Sequence, residues 1–364
     1  MKIVHTESSL GWGGQEIRIV RESLGLISLG HEVEVCCSVG SQFRQRAYQE
    51  DGQLTITALP ISKKSIRGLV AMYRYLRVCR TELVITHSST DSWLVAIAIL
   101  FLTNRPRLIR YRHVSAAVHP SLLTRWLYRQ PDHIVTTSTD IKHHIESTLG
   151  IASSKVTSIP TGVDLKDVPS REYRERTRRE LEIDPHSFVI VMVATLRSWK
   201  GHSFVLEAVA NLNQQNVKLV IVGDGPQLGN LIEQSKTLGI HESVSFIGHV
   251  EDVDKYFAAA DCFCQPSIRN EGVSQAVLQA FSMKVPVVAT TVSGLNEIVK
   301  DGETAVVVNP SCSSDLTKAF VRIQAGEIHT KKMLESAFEL VKAKHTFDSM
   351  LVRCNELYRS LLKS

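Results

Sequence analysis

A chain of 364 residues with 43% hydrophobic and 22% charged side chains can bury full-sized cores, which excludes disorder and fibrous architecture. Aromatics at 6%, with 20 Gly and 11 Pro, exclude a low-complexity or collagen-like chain. Net charge is +5, and the excess belongs to the first half: residues 1–165 hold 19 Lys/Arg against 13 Asp/Glu, residues 166–364 hold 23 against 24. That asymmetry favours anionic partners such as nucleotides, phosphoanhydrides or acidic lipid surfaces without choosing among them.

In chain order, short β-rich runs alternate with longer amphipathic segments. Ile3–Thr6, Glu32–Cys37, Leu83–Thr86, Leu108–Tyr111, His133–Thr136 and Val156–Ile159 read as strands of a parallel α/β domain. Residues 164–180 shift to a charged, Pro-containing stretch that reads as a linker followed by a solvated helix, and the domain boundary is placed near residue 165. The alternation restarts with Phe188–Ala194, Leu219–Gly223, Val244–Ile247, Asp261–Gln265, Val285–Ala289 and Thr304–Val308. Two Rossmann-like halves, 1–165 and 166–345, are expected to face one another across a cleft lined by the carboxyl ends of both sheets. Residues 346–364 carry Met350, Leu351, Leu357, Leu361 and Leu362 on a final amphipathic helix, predicted to cross back to the first domain.

The seven cysteines are odd in number and never spaced Cys-x-x-Cys, which suits a reduced compartment. The longest apolar run, Trp93–Leu102, is too short to span a bilayer, and the N-terminus turns polar too early for a secretory signal. A cytoplasmic protein is expected.

Three loops could hold a phosphorylated ligand. Gly11-Trp12-Gly13-Gly14-Gln15-Glu16 links the first strand to a helical run, where glycines let backbone N–H groups approach a phosphate at a helix N-terminus. Glu16 stands where a dinucleotide fingerprint needs its third glycine, which disfavours nicotinamide. A tight turn with no ligand fits equally. Arg197 and Lys200 sit in a strand-to-helix loop, where an Arg fork and a Lys point charge can offset the charge of a departing diphosphate; solvated surface cations are the plainer reading. In Asn270-Glu271-Gly272-Val273-Ser274, a carboxylate at a helix start can accept from sugar hydroxyls while backbone amides point at phosphate, or can simply cap the helix.

Together these stretches resemble the GT-B glycosyltransferases, in particular retaining family 4. The resemblance runs through Gly13-Gly14-x-Glu16, His113, Arg197-x-x-Lys200-Gly201, Val222-Gly223-Asp224-Gly225-Pro226, Phe246-Ile247-Gly248, Asn270-Glu271-Gly272 and Pro286-Val287-Val288-Ala289. It implies that Gly13 and Gly14 meet the donor phosphates, that His113 faces the transferred sugar, and that Arg197 and Lys200 hold the diphosphate. Glu271 would contact the sugar hydroxyls, with Gly272, Val273 and Ser274 presenting backbone amides. The family's second glutamate is replaced by Gln279, which keeps an acceptor and two donors for the ribose but loses the charge. The implied reaction is metal-independent transfer with retention from a UDP- or GDP-linked sugar to a glycan or lipid-linked acceptor in bacterial lipopolysaccharide, capsule or exopolysaccharide synthesis, with no further cofactor. A nucleotide-sugar-binding protein without transferase activity and a sugar-nucleotide epimerase on the same fold remain alternatives.

Other features carry less. Asp252-Val253-Asp254 reads as helix capping rather than metal binding. The lone His87 and the pair His143-His144 lack partners at ligand spacing and read as surface or strand-end packing. Cys262-x-Cys264 reads as apolar filler in a strand. The segment 121–129 and the cations Lys63, Lys64, Arg67, Arg74, Arg77 and Arg80 allow peripheral contact with an anionic membrane on its inner face, against the alternative of an ordinary solvated helix. No nucleic-acid module is present in the sequence.

Overall fold

A computed structural model of the chain describes residues 1–50, 54–212, 216–327 and 331–363. Contacts divide it into one unit of Met1–Thr161 with Asp348–Ser364 and a second of Gly162–Phe347.

In the first unit, strands β1 (Lys2–Glu7), β2 (Glu32–Ser38), β3 (Thr55–Leu59), β4 (Leu83–Thr86), β5 (Arg107–Arg112), β6 (His133–Thr136) and β7 (Val156–Ser158) form a sheet of order β3-β2-β1-β4-β5-β6-β7. All pairings are parallel. The connections are α1 (Gly14–Ser28), α2 (Gln42–Glu50), α3 (Ile66–Cys79), α4 (Ser89–Ala98), α5 (Leu122–Arg129) and α6 (Thr139–Leu149). Every residue of β4 and β6 is buried, as expected of strands covered by helices on both faces. Strand β3, Thr-Ile-Thr-Ala-Leu, is absent from the sequence reading: it is a half-buried edge strand with only two bulky aliphatic residues in five.

In the second unit, α7 (Arg171–Glu180) precedes strands β8 (Phe188–Val193), β9 (Val217–Val222), β10 (Val244–Gly248), β11 (Cys262–Gln265), β12 (Val287–Ala289) and β13 (Val306–Val307). Their order is β10-β9-β8-β11-β12-β13, again parallel. Helices α8 (His202–Leu212), α9 (Leu228–Thr237), α10 (Asp254–Ala259), α11 (Gln275–Ser282), α12 (Ser313–Gln324) and α13 (Lys331–Lys344) complete it. Each unit is a Rossmann-like α/β domain whose strand order reverses once, at β1/β4 and at β8/β11. Ligands of such sheets bind beyond the carboxyl ends of the strands at that reversal.

The charge run on α7 is not merely solvated, contrary to the sequence reading. Arg174 and Arg178 both reach Asp261 at the start of β11, Arg178 Nη2 at 2.6 Å from Oδ2. Arg178 also donates to the carbonyls of Ala259, Pro185 and Ser187, so a buried guanidinium ties α7 to the amino ends of the central strands β8 and β11.

The last helix, α14 (Phe347–Lys363), packs from Asp348 onward within the first unit. Its anchor is a buried polar cluster: Tyr358 donates to Glu22, Tyr111 Oη lies 2.5 Å from Tyr358 Oη, and Glu22 pairs with the equally buried Arg18 at 3.3 Å. Arg18 Nη1 donates to Ile159 O and Thr161 Oγ1, so the cluster also fixes the end of β7. Among the described residues no helix is long and apolar enough to cross a membrane.

Candidate functional site

The loop after β8 and the loop after β11 leave adjacent strands at the reversal point of the second sheet. Gly201 ends the first loop at φ 78°, and a Cβ there would collide with the Pro266 carbonyl, so only glycine lets the two loops touch. Ile268 N–H donates to Trp199 O at 2.8 Å across this contact. Lys200 Nζ thereby lies 2.6 Å from Glu271 Oε1, with both side chains largely buried.

Glu271 is held from one side. Oε1 accepts from Lys200 Nζ, from Ser267 Oγ at 2.6 Å and from Gln265 Nε2 at 3.5 Å, while Oε2 makes no hydrogen bond among the described residues. Thr290 Oγ1 donates to Ser267 O, and Gly294 N–H donates to Glu271 O, which fixes the loop from β12 and from the following turn. One carboxylate oxygen is thus committed and the other available. Gln265, Ser267 and Thr290 escaped the sequence reading because hydroxyls and amides near strand ends carry no distinctive spacing.

Arg197 is exposed, its guanidinium 5.7 Å from the Trp199 ring centroid. Val273 is buried in the core and Gly272 half-buried, while Ser274 caps α11 by accepting from Val277 N–H at 3.5 Å. Gln279 is half-buried on α11, and its side-chain amide makes no hydrogen bond among the described residues. The structure therefore joins Lys200 to Glu271 and leaves Arg197 and Gln279 unattached to that pair. Asp252 Oδ1 accepts from Asp254 N–H at 2.9 Å and Asp254 pairs with Lys166 at 2.8 Å.

In the first unit Gly13 has extended backbone and caps α1 without a side chain, its carbonyl accepting from Ile17 N–H at 3.0 Å. Around the glycine turn lie Glu16 and two further carboxylates, Glu7 and Asp91, that the sequence reading did not weigh. Glu7 accepts from Ser9 N–H, Ser88 Oγ and Gln15, and burial pushes its carboxyl up. Burial and then the Glu7 charge hold Glu16 and Asp91 at about 7 each. An anion approaching Gly13 and Gly14 meets a helix N-terminus but also Glu16 in its first turn.

His113 follows β5 and is half-buried. His87, which the sequence reading left without partners, lies between His5 and His113 at 2.9 Å from each. The neighbours come from β1 and β5, on either side of β4, and such cross-strand adjacency has no signature in spacing. Beyond the carboxyl end of β5 opens a cavity of about 630 Å³ lined by residues that include Arg112, Ser115, Asp140, His143 and His144. His144 Nε2 accepts there from Val118 N–H at 3.2 Å.

Two family models meet on this architecture. The one described as Glycosyltransferase Family 4 matches residues 12–167, and the one described as Glycosyl transferases group 1 matches residues 173–339. Between them they take in most of both units, with Gly13, Gly14, His113, Arg197, Lys200, Glu271 and Gln279 among the matched residues. The chain belongs to the family 4 glycosyltransferases, built on the GT-B fold.

This glycosyltransferase is 24% identical over 300 residues to the UDP-Gal:alpha-D-GlcNAc-diphosphoundecaprenol alpha-1,3-galactosyltransferase of Escherichia coli, covering 77% of each chain. It is 27% identical over 298 residues to the exopolysaccharide phosphotransferase SCO2592 of Streptomyces coelicolor, covering 80% of this chain and 30% of that one. Further curated relatives are matched over 46–60% of their lengths. In fold it is similar to Anabaena Alr3699/HepE, solved in complex with UDP-glucose, at a TM-score of 0.86 and 19% identity over 99% of this chain and 100% of that one.

Proposed function

We propose that this glycosyltransferase moves a sugar, with retention and without a metal ion, from a UDP- or GDP-linked donor to a glycan or lipid-linked acceptor in bacterial surface-glycan synthesis. The observation that carries the reading is the Lys200–Glu271 pair at the sheet reversal, with Glu271 Oε2 left open. Oε2 would accept from a hydroxyl of the transferred sugar. Lys200, drawn off Oε1 by a stronger anion, and Arg197, exposed beside it, would hold the diphosphate and offset the charge that grows as it departs. Gly272, Val273 and Ser274 would add backbone amides, and Gln279 would meet the ribose.

Retention is taken from the family likeness, and the setting of Glu271 supports a route to it without a covalent intermediate. With Oε1 held by Ser267 and Gln265 and Oε2 turned to a sugar hydroxyl, Glu271 would be a binding group rather than a nucleophile, so the leaving phosphate would take the acceptor proton. His113, with Gly13 and Gly14, would serve the donor from the first unit, and the cavity beyond β5 would receive the acceptor. The relatives' printed activities, on undecaprenyl-diphosphate sugars and exopolysaccharide, support that acceptor class. A lipid carrier would bring the exposed Leu122 and Leu123 and the cations Arg67, Arg74 and Arg77 to an anionic membrane.

The test is Glu271→Ala. Turnover should fall far more than affinity for UDP or GDP; equal loss of both would contradict the assigned role. Nucleotide binding with no transfer to any acceptor would favour a binding protein, and an altered nucleotide sugar formed without acceptor would favour an epimerase.

A further inference from the structure

Three histidines from neighbouring strands of the first unit form one hydrogen-bonded row. His5 Nδ1 lies 2.9 Å from His87 Nε2, and His87 Nδ1 lies 2.9 Å from His113 Nε2. The rings stack with centroids 5.2 Å apart at both steps, and Tyr111 packs against His87 and His113. Burial keeps all three rings neutral at physiological pH, with the Arg18 guanidinium working in the same direction on each. Arg112 adds to this at His113, and Glu22 opposes it at His5.

Three neutral rings carry three N–H protons on six nitrogens. Each of the two contacts is a hydrogen bond only when a single proton lies in it, so one proton is left over. It can sit at either end of the row, on His5 Nε2 or on His113 Nδ1, and no other neutral arrangement keeps both bonds. His5 Nε2 is buried and has no hydrogen-bond partner among the described residues. His113 is half-buried, and its Nδ1 is the other open end of the row. A buried N–H with nothing to accept it is among the rarest features of folded proteins, rarer than a buried unused acceptor.

We propose that His5 and His87 are positioning residues that fix His113 as its Nδ1–H tautomer, so that His113 offers a hydrogen-bond donor to an oxygen of the bound sugar. His113 then cannot serve as the base that accepts the acceptor's proton, because its other nitrogen is occupied by His87. The substrate contact rests on the transferase reading above; the tautomer itself does not.

The experiment is a two-bond proton–nitrogen spectrum of the full chain labelled at its histidine nitrogens, near neutral pH and without ligand, assigned with His113→Gln. The expected result is protonated Nδ1 and bare Nε2 on His5, His87 and His113. An Nε2–H form of His113 overturns the proposal. His87→Phe, which removes both bonds, should release His113 into a mixture of tautomers and lower kcat about tenfold, the worth of one hydrogen bond, with the donor KM little changed. His5→Asn, whose amide can donate from the position of Nδ1, should keep the wild-type tautomer and rate where His5→Leu does not. His113 unchanged in His87→Phe, or His5→Asn as impaired as His5→Leu, contradicts the assignment. Should His87→Phe fail to fold, the wild-type spectrum decides alone. Should no donor be turned over, the transferase reading falls while the spectrum still tests the tautomer.

Discussion

Replacing Lys200 by Met keeps most of the side-chain stem and removes only the cation from the pair with Glu271. The two side chains are 17% and 7% exposed, between a rim contact and a buried ion pair. Removing one partner of a buried pair costs about 3–5 kcal/mol, whereas exposed pairs are worth at most about 1 kcal/mol. Ser267 and Gln265 still donate to Oε1, and Oε2 stays open, so Lys200→Met should destabilise by about 2 kcal/mol. Glu271→Gln leaves an ammonium that can turn toward water and should cost about 1 kcal/mol. The double variant should fall short of the sum by about 1 kcal/mol, read from urea denaturation of all four proteins. The same cycle has a binding arm, measured by calorimetry with UDP or GDP. Lys200→Met should weaken the diphosphate, while Glu271→Gln should leave it unchanged or tighten it, because Nζ no longer has a carboxylate to leave. A coupling energy under about 0.3 kcal/mol, with both variants weakening the diphosphate equally, would refute the reasoning.

Glu16 has a folded-state pKa of about 7 against an ordinary 4.5, so folding takes up a proton between those values and stability falls as pH rises through them. Glu16→Gln should remove that loss, gaining up to about 3 kcal/mol above pH 7 and nothing below pH 4.5; parallel stability profiles for the two proteins would contradict this. Glu22→Leu leaves the fully buried Arg18 unpaired and takes the acceptor from Tyr358, and should cost about 3–5 kcal/mol in chemical denaturation, against under 1 kcal/mol for Lys236→Ala at an exposed pair. Leu122→Ser with Leu123→Ser removes two side chains exposed at 86% and 68%, and should lower co-sedimentation with anionic vesicles while leaving the melting temperature within a degree or two. Unchanged vesicle binding would remove these leucines from any membrane face.

The architecture was legible because the buried parallel strands, such as Leu83–Thr86 and His133–Thr136, are unbroken β-rich runs between amphipathic segments. Strand β3 was not, since an edge strand buries one face partially and Thr-Ile-Thr-Ala-Leu has little apolar weight. Arg174 and Arg178 looked like part of a solvated charge run because the carboxylate that receives them, Asp261, lies more than eighty residues away. The candidate residues Arg197, Lys200, Glu271 and His113 stood out as residue types in loops that follow strands, and that is where the structure puts them. Their wiring was not legible: Lys200 meets Glu271 across 71 positions, and His87 meets His5 and His113 across 82 and 26. Sequence spacing records neighbours along one element, whereas a parallel sheet brings together the ends of strands separated by whole helices.

The central claim is that the loops after β8 and β11 bind the diphosphate of a nucleotide sugar through Lys200. Thermal unfolding of the wild-type chain against a panel of nucleoside diphosphates and nucleotide sugars tests it most directly, since a ligand that binds only the folded state raises the melting temperature with its occupancy. The account predicts a rise with the diphosphate and the sugar nucleotide of one base, lost in Lys200→Met. No rise from any of them at millimolar concentration, or an undiminished rise in Lys200→Met, would contradict it.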